Sequence, residues 1–147
     1  MNRDATYCCD ANVALRLFDE MSPERPAAIA LWEKWSAERA LVLAPPLFGF
    51  EVANGLHRAV LAGRVTPNRS AEVMLSVSAL PVAYVDMDSC LHFEAMRLAD
   101  EFDMKAAYDA HYLAVAKMRN VSLYTFNRKL FNTVGDKLQN VRYILNE

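Results

Sequence analysis

The chain is poor in cysteine. Of its 147 residues, only Cys8, Cys9 and Cys90 are cysteines. The number is odd, two are adjacent, and no Cys-x-x-Cys occurs, which excludes a disulfide framework and a zinc site. Reduced thiols, as in the cytoplasm, are the matching expectation. Long apolar runs are also missing. None reaches the ~18 residues that suggest a membrane span. The opening stretch, MNRDATYCCD, lacks the apolar segment of a signal peptide. A soluble, cytoplasmic protein with no membrane partner is expected. No repeat with a period of roughly 20–50 residues is visible. No linker rich in Pro, Gly or Ser divides the chain, so residues 1–147 are expected to form a single domain. Strong charge of one sign is absent as well. The formal net charge is −2. That does not point to a nucleic-acid binder, nor does it exclude one, because acids clustered in a site can coexist with a basic rim.

What is present is apolar material in short blocks. The apolar fraction is 54% and the charged fraction 23%, enough for one buried core and too apolar for disorder. ATYCC, LVLA, VAYV and SLYTF read as short buried strands, and VRYIL as a last edge strand. Helical spacing runs through ANVALRLFDE, SPERPAAIALWEKWSAER, LFGFEVANGLHRAVLAGR, TPNRSAEVMLSVSAL, DSCLHFEAMRLADEF and KAAYDAHYLAVAKMR. A short helix passes through Leu130 and Phe131. Ser22 with Pro23, Thr66 with Pro67, and Asp88 read as helix starts, and Gly63 as a C-cap. Strands alternate with helices and hairpin signals are few. That pattern predicts a three-layer α/β/α sandwich around a mainly parallel sheet. Ligands of such sheets bind at the carboxyl ends of the strands.

Four polar residues stand at such places. Asp10 ends the first strand, and would either cap the next helix or belong to a site. Glu51 has Leu47, Phe48 and Gly55 as its helical neighbours, so a carboxylate sits on an apolar face. The alternatives are a rotated, solvated helix or an ion pair with Arg58. Asp109 lies in the apolar stretch AAYDAHYLAVA, where it would favour the helix dipole or line a site. Asn127 follows SLYTF and suits a helix N-cap as well as a site. In a parallel sheet these four positions converge on one edge. Carboxylates brought together must bind a cation or take up a proton. Oxygen donors without a Cys or His cluster favour Mg²⁺ or Mn²⁺. Asn12 could orient Asp10, and Thr125 could hydrogen-bond within the site. Arg128, Lys129 and Arg16 are the candidate phosphate contacts.

These residues resemble the PIN domains, and within them the VapC-like ribonuclease toxins of toxin–antitoxin modules. YCCDANVALRLF looks like the family's first motif, LVLAPPLFGFEVANGLHRA the second, AAYDAHYLAVA the third and LYTFNRKL the fourth. The resemblance implies an endoribonuclease that needs Mg²⁺ or Mn²⁺ and hydrolyses RNA phosphodiesters with a metal-activated water. It carries Asp10, Glu51 and Asp109 over as metal-binding acids, with Asn127 completing the catalytic set. It also implies a homodimer and a cognate antitoxin whose tail occupies the groove. Asn127 departs from the pattern, since the family more often has Asp there. A catalytically weakened module that binds RNA or protein is therefore the alternative. A phosphoacceptor receiver domain fits worse, because DAN follows the first strand in place of paired acids. His111 reads as packing or surface, His57 and His92 as without a role, Cys8 and Cys9 as strand filling, and Trp32 and Trp35 as packing or dimer contacts.

Overall fold

A computed structural model describes residues 5–146. Residues 1–4 and 147 of the expected 1–147 span lie outside the described residues. The chain opens with β1 (Thr6–Cys9), α1 (Ala11–Leu15), α2 (Arg25–Ala37) and β2 (Leu41–Ala44). It continues through α3 (Leu47–Leu61), α4 (Pro67–Ser78), β3 (Val82–Tyr84) and α5 (Ser89–Glu101). It ends with α6 (Tyr108–Arg119), β4 (Ser122–Thr125), α7 (Arg128–Val134) and β5 (Val141–Tyr143).

The strands form one sheet in the order β3-β2-β1-β4-β5, and every neighbouring pair is parallel. Consecutive residues of β1 point to opposite faces, as strand geometry requires. Tyr7 stacks on Trp35 of α2, ring centroids 5.4 Å apart. Cys8 turns the other way and its thiol donates to the Tyr112 carbonyl of α6 at 3.9 Å. Helices therefore cover both faces. Cys8 and Cys9, at the inner end of β1, are fully buried, while the part-buried Tyr7 donates its hydroxyl to Glu38 at 2.6 Å.

α6 is the most deeply set helix. Tyr112 to Ala116 are buried without interruption, and α6 packs on β1, β2 and β4. Its apolar middle, Tyr112 to Ala116, lies inside, while Lys117, Met118 and Arg119 at its end are exposed. The order of the sheet reverses at β1: β2 and β3 lie to one side, β4 and β5 to the other. The carboxyl ends of β1 and β4 thus flank a topological switch point, the usual ligand crevice of such sheets.

Several helix boundaries differ from the sequence-based expectation. The stretch ANVALRLFDE is not one helix; α1 stops at Leu15 and a 3-10 turn, Arg16–Phe18, follows. α2 begins at Arg25, not at Ser22 and Pro23. The Ser22 hydroxyl instead accepts from the Glu24 N–H at 3.2 Å, and Asp19 accepts from the Met21 N–H at 3.1 Å. Short side chains here compete with helix for the main chain. α6 begins at Tyr108, after a left-handed Asp103 (φ 50°) closes α5. Thr66 and Asp88 do cap their helices, accepting from the third residue on at 3.1 and 2.9 Å. Gly63, at φ 73°, takes the left-handed position directly after Ala62 and closes α3, as expected of a C-capping glycine. Among the described residues, no helix is long and apolar enough to cross a membrane.

Candidate functional site

Asp10 sits where β1 passes into α1, and only 8% of it is exposed. It occupies the N-cap position but makes no side-chain cap bond. Its Oδ2 instead accepts from the Thr125 hydroxyl at 2.5 Å. Its Oδ1 is buried without a hydrogen-bond partner. Burial raises the Asp10 pKa to about 7; the Thr125 bond works against that rise, while the charges of Asp109 and Glu51 add to it. Thr125 itself is fully buried at the end of β4, and its Oγ1 also accepts from the Asn127 N–H at 2.9 Å.

Glu51 enters from α3, half-buried. Its Oε1 accepts from the Tyr112 hydroxyl of α6 at 2.5 Å, so the partner is a phenol and not Arg58. Burial raises its pKa, the Tyr112 bond opposes this, and the charge of Asp109 reinforces it. Asp109, in the first turn of α6, is half-buried, and burial raises its pKa as well. The three acids therefore feel one another's charge. They are not drawn tightly together, however: among the described residues, no three His, Cys, Asp or Glu side chains are placed to hold one ion.

The other expected residues are placed differently. The Asn127 amide oxygen accepts from the Leu130 N–H at 3.0 Å, capping α7. Asn12 is exposed and does not bond to Asp10; its side chain lines a separate cavity. Arg16 is held by Glu24, Nε to Oε1 at 3.2 Å. Arg128 lies over the Tyr143 ring, 4.8 Å from its centre, and Lys129 is exposed. Trp32 and Trp35 are buried, with the Trp32 indole donating to the Val13 carbonyl at 3.0 Å, so both are packing residues. His92, given no role from sequence, meets His111 at 2.9 Å between ring nitrogens, and His111 also contacts the Ala107 carbonyl at 2.6 Å. Tyr112 was missed altogether. Its spacing three residues after Asp109 was the available signal, because i and i+3 share a helix face.

A family model described as the PIN domain matches residues 7–137. The chain belongs to the PIN domain family. Among solved structures, this PIN domain is similar to a chain of a toxin–antitoxin complex from Klebsiella pneumoniae. That match has 19% identity and a TM-score of 0.65, and covers 94% of this chain and 97% of the other. It is also similar to a chain of VapBC2 from Rickettsia felis bound to a DNA fragment from their promoter. There the identity is 15% and the TM-score 0.60, covering 86% and 91% of the two chains. At such identities the likeness is one of fold. No curated protein sequence matches the chain.

A cavity of about 920 Å³ in this PIN domain does not contain the three acids. It opens between the 3-10 turn, α3 and α4, with Asn12 on its wall two residues from Asp10. Arg16, Arg58, Arg64 and Arg69 line it together with Asp19 and Glu24, and Leu15, Phe18 and Leu56 supply apolar wall.

Proposed function

We propose that the protein is a divalent-metal-dependent endoribonuclease, acting as the toxin of a toxin–antitoxin pair. The observation that carries this reading is the Asp10 carboxylate at the switch point, with one oxygen buried and unpartnered. Native proteins rarely leave such an atom unpaired without a reason. Asp10, Glu51 and Asp109 offer only oxygen donors, the type a hard cation such as Mg²⁺ or Mn²⁺ takes, and no more than two of them would bind one ion directly in this arrangement. When bound, that ion supplies charge neutralisation and Lewis acidity toward a phosphate and its attacking water. The chain's own residues do the rest. Thr125 holds Oδ2 of Asp10, and Oδ1 would be the oxygen left to hold an ion. Asp109 and Glu51 bring further negative charge to the same crevice. Arg128 and Lys129, just beyond β4, are the candidate contacts to the RNA phosphates.

A cognate antitoxin belongs to this reading, in line with the toxin–antitoxin complexes that share the fold, and so does a homodimer. We assign the antitoxin's tail to the 920 Å³ cavity. Its walls carry both signs of charge and apolar side chains, which suits a mixed peptide better than a uniformly anionic RNA strand.

A second reading keeps the fold and drops the turnover: a catalytically weakened module that binds RNA or protein. Asn127 favours it, because its amide oxygen is used as a helix cap and adds no charge. One experiment separates the two. Purified parent and Asp10→Ala proteins are incubated with total RNA or tRNA in Mg²⁺, in Mn²⁺ and in EDTA. The enzyme reading expects metal-dependent cleavage that falls by more than about 100-fold in the variant, beyond the loss expected from removing a supporting partner. An Asp10→Ala protein that cleaves as well as the parent sinks it.

A further inference from the structure

We propose that His92 and His111 form a separate cation site: one ring nitrogen of each chelates a divalent transition ion of the nickel or copper type and ties α5 to α6. The inference does not rest on the nuclease reading, because none of the three acids takes part.

His92 stands on α5 and His111 on α6, two helices that pack on each other. The rings meet edge-on, with His92 Nδ1 and His111 Nε2 2.9 Å apart. The far nitrogen of His111 decides the chemistry. It lies 2.6 Å from the Ala107 carbonyl, one turn back along the chain. A carbonyl can only accept, so Nδ1 of His111 carries the proton and Nε2 keeps a lone pair toward His92. A backbone carbonyl on the far nitrogen is the usual support of a metal-bound histidine, because it fixes the tautomer and the ring. His92 donates to that lone pair from Nδ1. In the other tautomer of its exposed ring the proton sits on Nε2, and Nδ1 has a lone pair as well. An ion then takes the place of the shared proton.

The spacing selects the ion. With metal–nitrogen bonds of about 2.0–2.1 Å, nitrogens 2.9 Å apart subtend about 90°. That is the cis angle of tetragonal and octahedral complexes, whereas a tetrahedral ion needs roughly 3.3 Å between its nitrogens. A tilt of the exposed His92 ring brings both lone pairs onto the ion. Imidazole nitrogen suits Cu²⁺ and Ni²⁺ and binds both more tightly than Mn²⁺. Water fills the remaining positions. Among the described residues, no third His, Cys, Asp or Glu is placed to join. Glu94, two residues after His92, is tied to Arg97 and Lys117 at 2.7 Å each.

Ni²⁺ is the probe. Untagged parent, His92→Gln and His111→Gln proteins are titrated calorimetrically in excess Mg²⁺, which competes at oxygen-donor sites. The parent is expected to take up a single Ni²⁺. Either variant should bind it at least about tenfold more weakly, since the second nitrogen of a preformed pair binds as an intramolecular ligand. Zn²⁺ should bind the parent less tightly than Ni²⁺. Ni²⁺ should also raise the parent's Tm as its concentration rises, and leave that of His92→Gln unmoved. No Ni²⁺ uptake by the parent overturns the proposal and leaves the pair as a hydrogen bond between helices. Uptake that is unchanged in His92→Gln means an adventitious ion only, and overturns it too. So does Zn²⁺ binding tighter than Ni²⁺. His92 is exposed, so its variant keeps the test even where His111→Gln fails to fold. Metal-dependent cleavage of RNA, measured separately, decides the nuclease reading whichever way this titration falls.

Discussion

β1 and β4 lie side by side in the sheet and end in the same way. Each leads into a polar residue that opens a helix: Asp10 before α1 and Asn127 before α7. The two residues are then used in opposite ways. Asn127 gives its side-chain oxygen to the Leu130 N–H and stabilises the helix. Asp10 stands at the same kind of position and caps nothing. Its carboxylate is buried, with one oxygen on Thr125 and one unpaired. A strand-end polar residue that satisfies its helix is spent on folding. One that does not is, on the proposed reading, the group that meets the ligand, at a cost in stability. Thr125 sits between the two, donating to Asp10 and accepting from the main chain of Asn127.

The largest expected effect comes from removing that cost. Burial lifts the Asp10 pKa from 3.8 to about 7. The unfolded chain therefore releases this proton before the folded protein does. Between those two values the folded state binds more protons, so stability falls as pH rises through the window. Below it the contribution is fully favourable; above it the loss is complete, up to about 4 kcal/mol. Asp10→Asn cannot ionise and still offers an oxygen to Thr125. In EDTA it should be more stable than the parent above pH 7 and close to it near pH 4, while being inactive on RNA. Urea unfolding at the two pH values reads this directly. A variant less stable than the parent at high pH would mean that the carboxylate is not strained.

Thr125→Val comes next. The change is close to isosteric, but it removes the donor to Asp10 and the acceptor for Asn127 together. Two buried groups lose a partner, at roughly 1–3 kcal/mol each. Metal-dependent cleavage should drop by about 10–100-fold, as for other partners that orient a ligand. Unfolding and cleavage measured on the same preparation separate the effects. A full loss of stability with unchanged cleavage would make Thr125 a structural residue alone.

Much of this layout was legible in the sequence, for local reasons. LVLA is β2 residue for residue, because so short an apolar run stopped by Pro45 and Pro46 has few other homes. The acid after ATYCC and the isolated acids on apolar helix faces were visible as anomalies of burial. The pairings were not visible. Asp10 meets Thr125 across 115 residues and Glu51 meets Tyr112 across 61. No local spacing encodes which strand end lies beside which. Asn12 failed for the complementary reason: proximity along the chain suggested a contact that the first turn of α1 rotates away. The start of α2 was misplaced because Ser22 and Asp19 fit a turn as well as they fit a cap.

The smallest effect lies at Asn127, and it bears most directly on the contrast between the two strand ends. If the amide is only a cap, Asn127→Ala should cost about 1 kcal/mol and leave cleavage per folded molecule near that of the parent. Asn127→Asp should cost almost nothing, since the two residues cap equally well, and a negative charge is welcome at a helix N-terminus. What the aspartate adds is a fourth acid beside the hydroxyl that holds Asp10. Cleavage by Asn127→Asp that clearly exceeds the parent's would show that the amide weakens a site able to use another charge, and would favour the second functional reading. Cleavage equal to the parent's would mean that the position belongs to α7, and that three acids suffice.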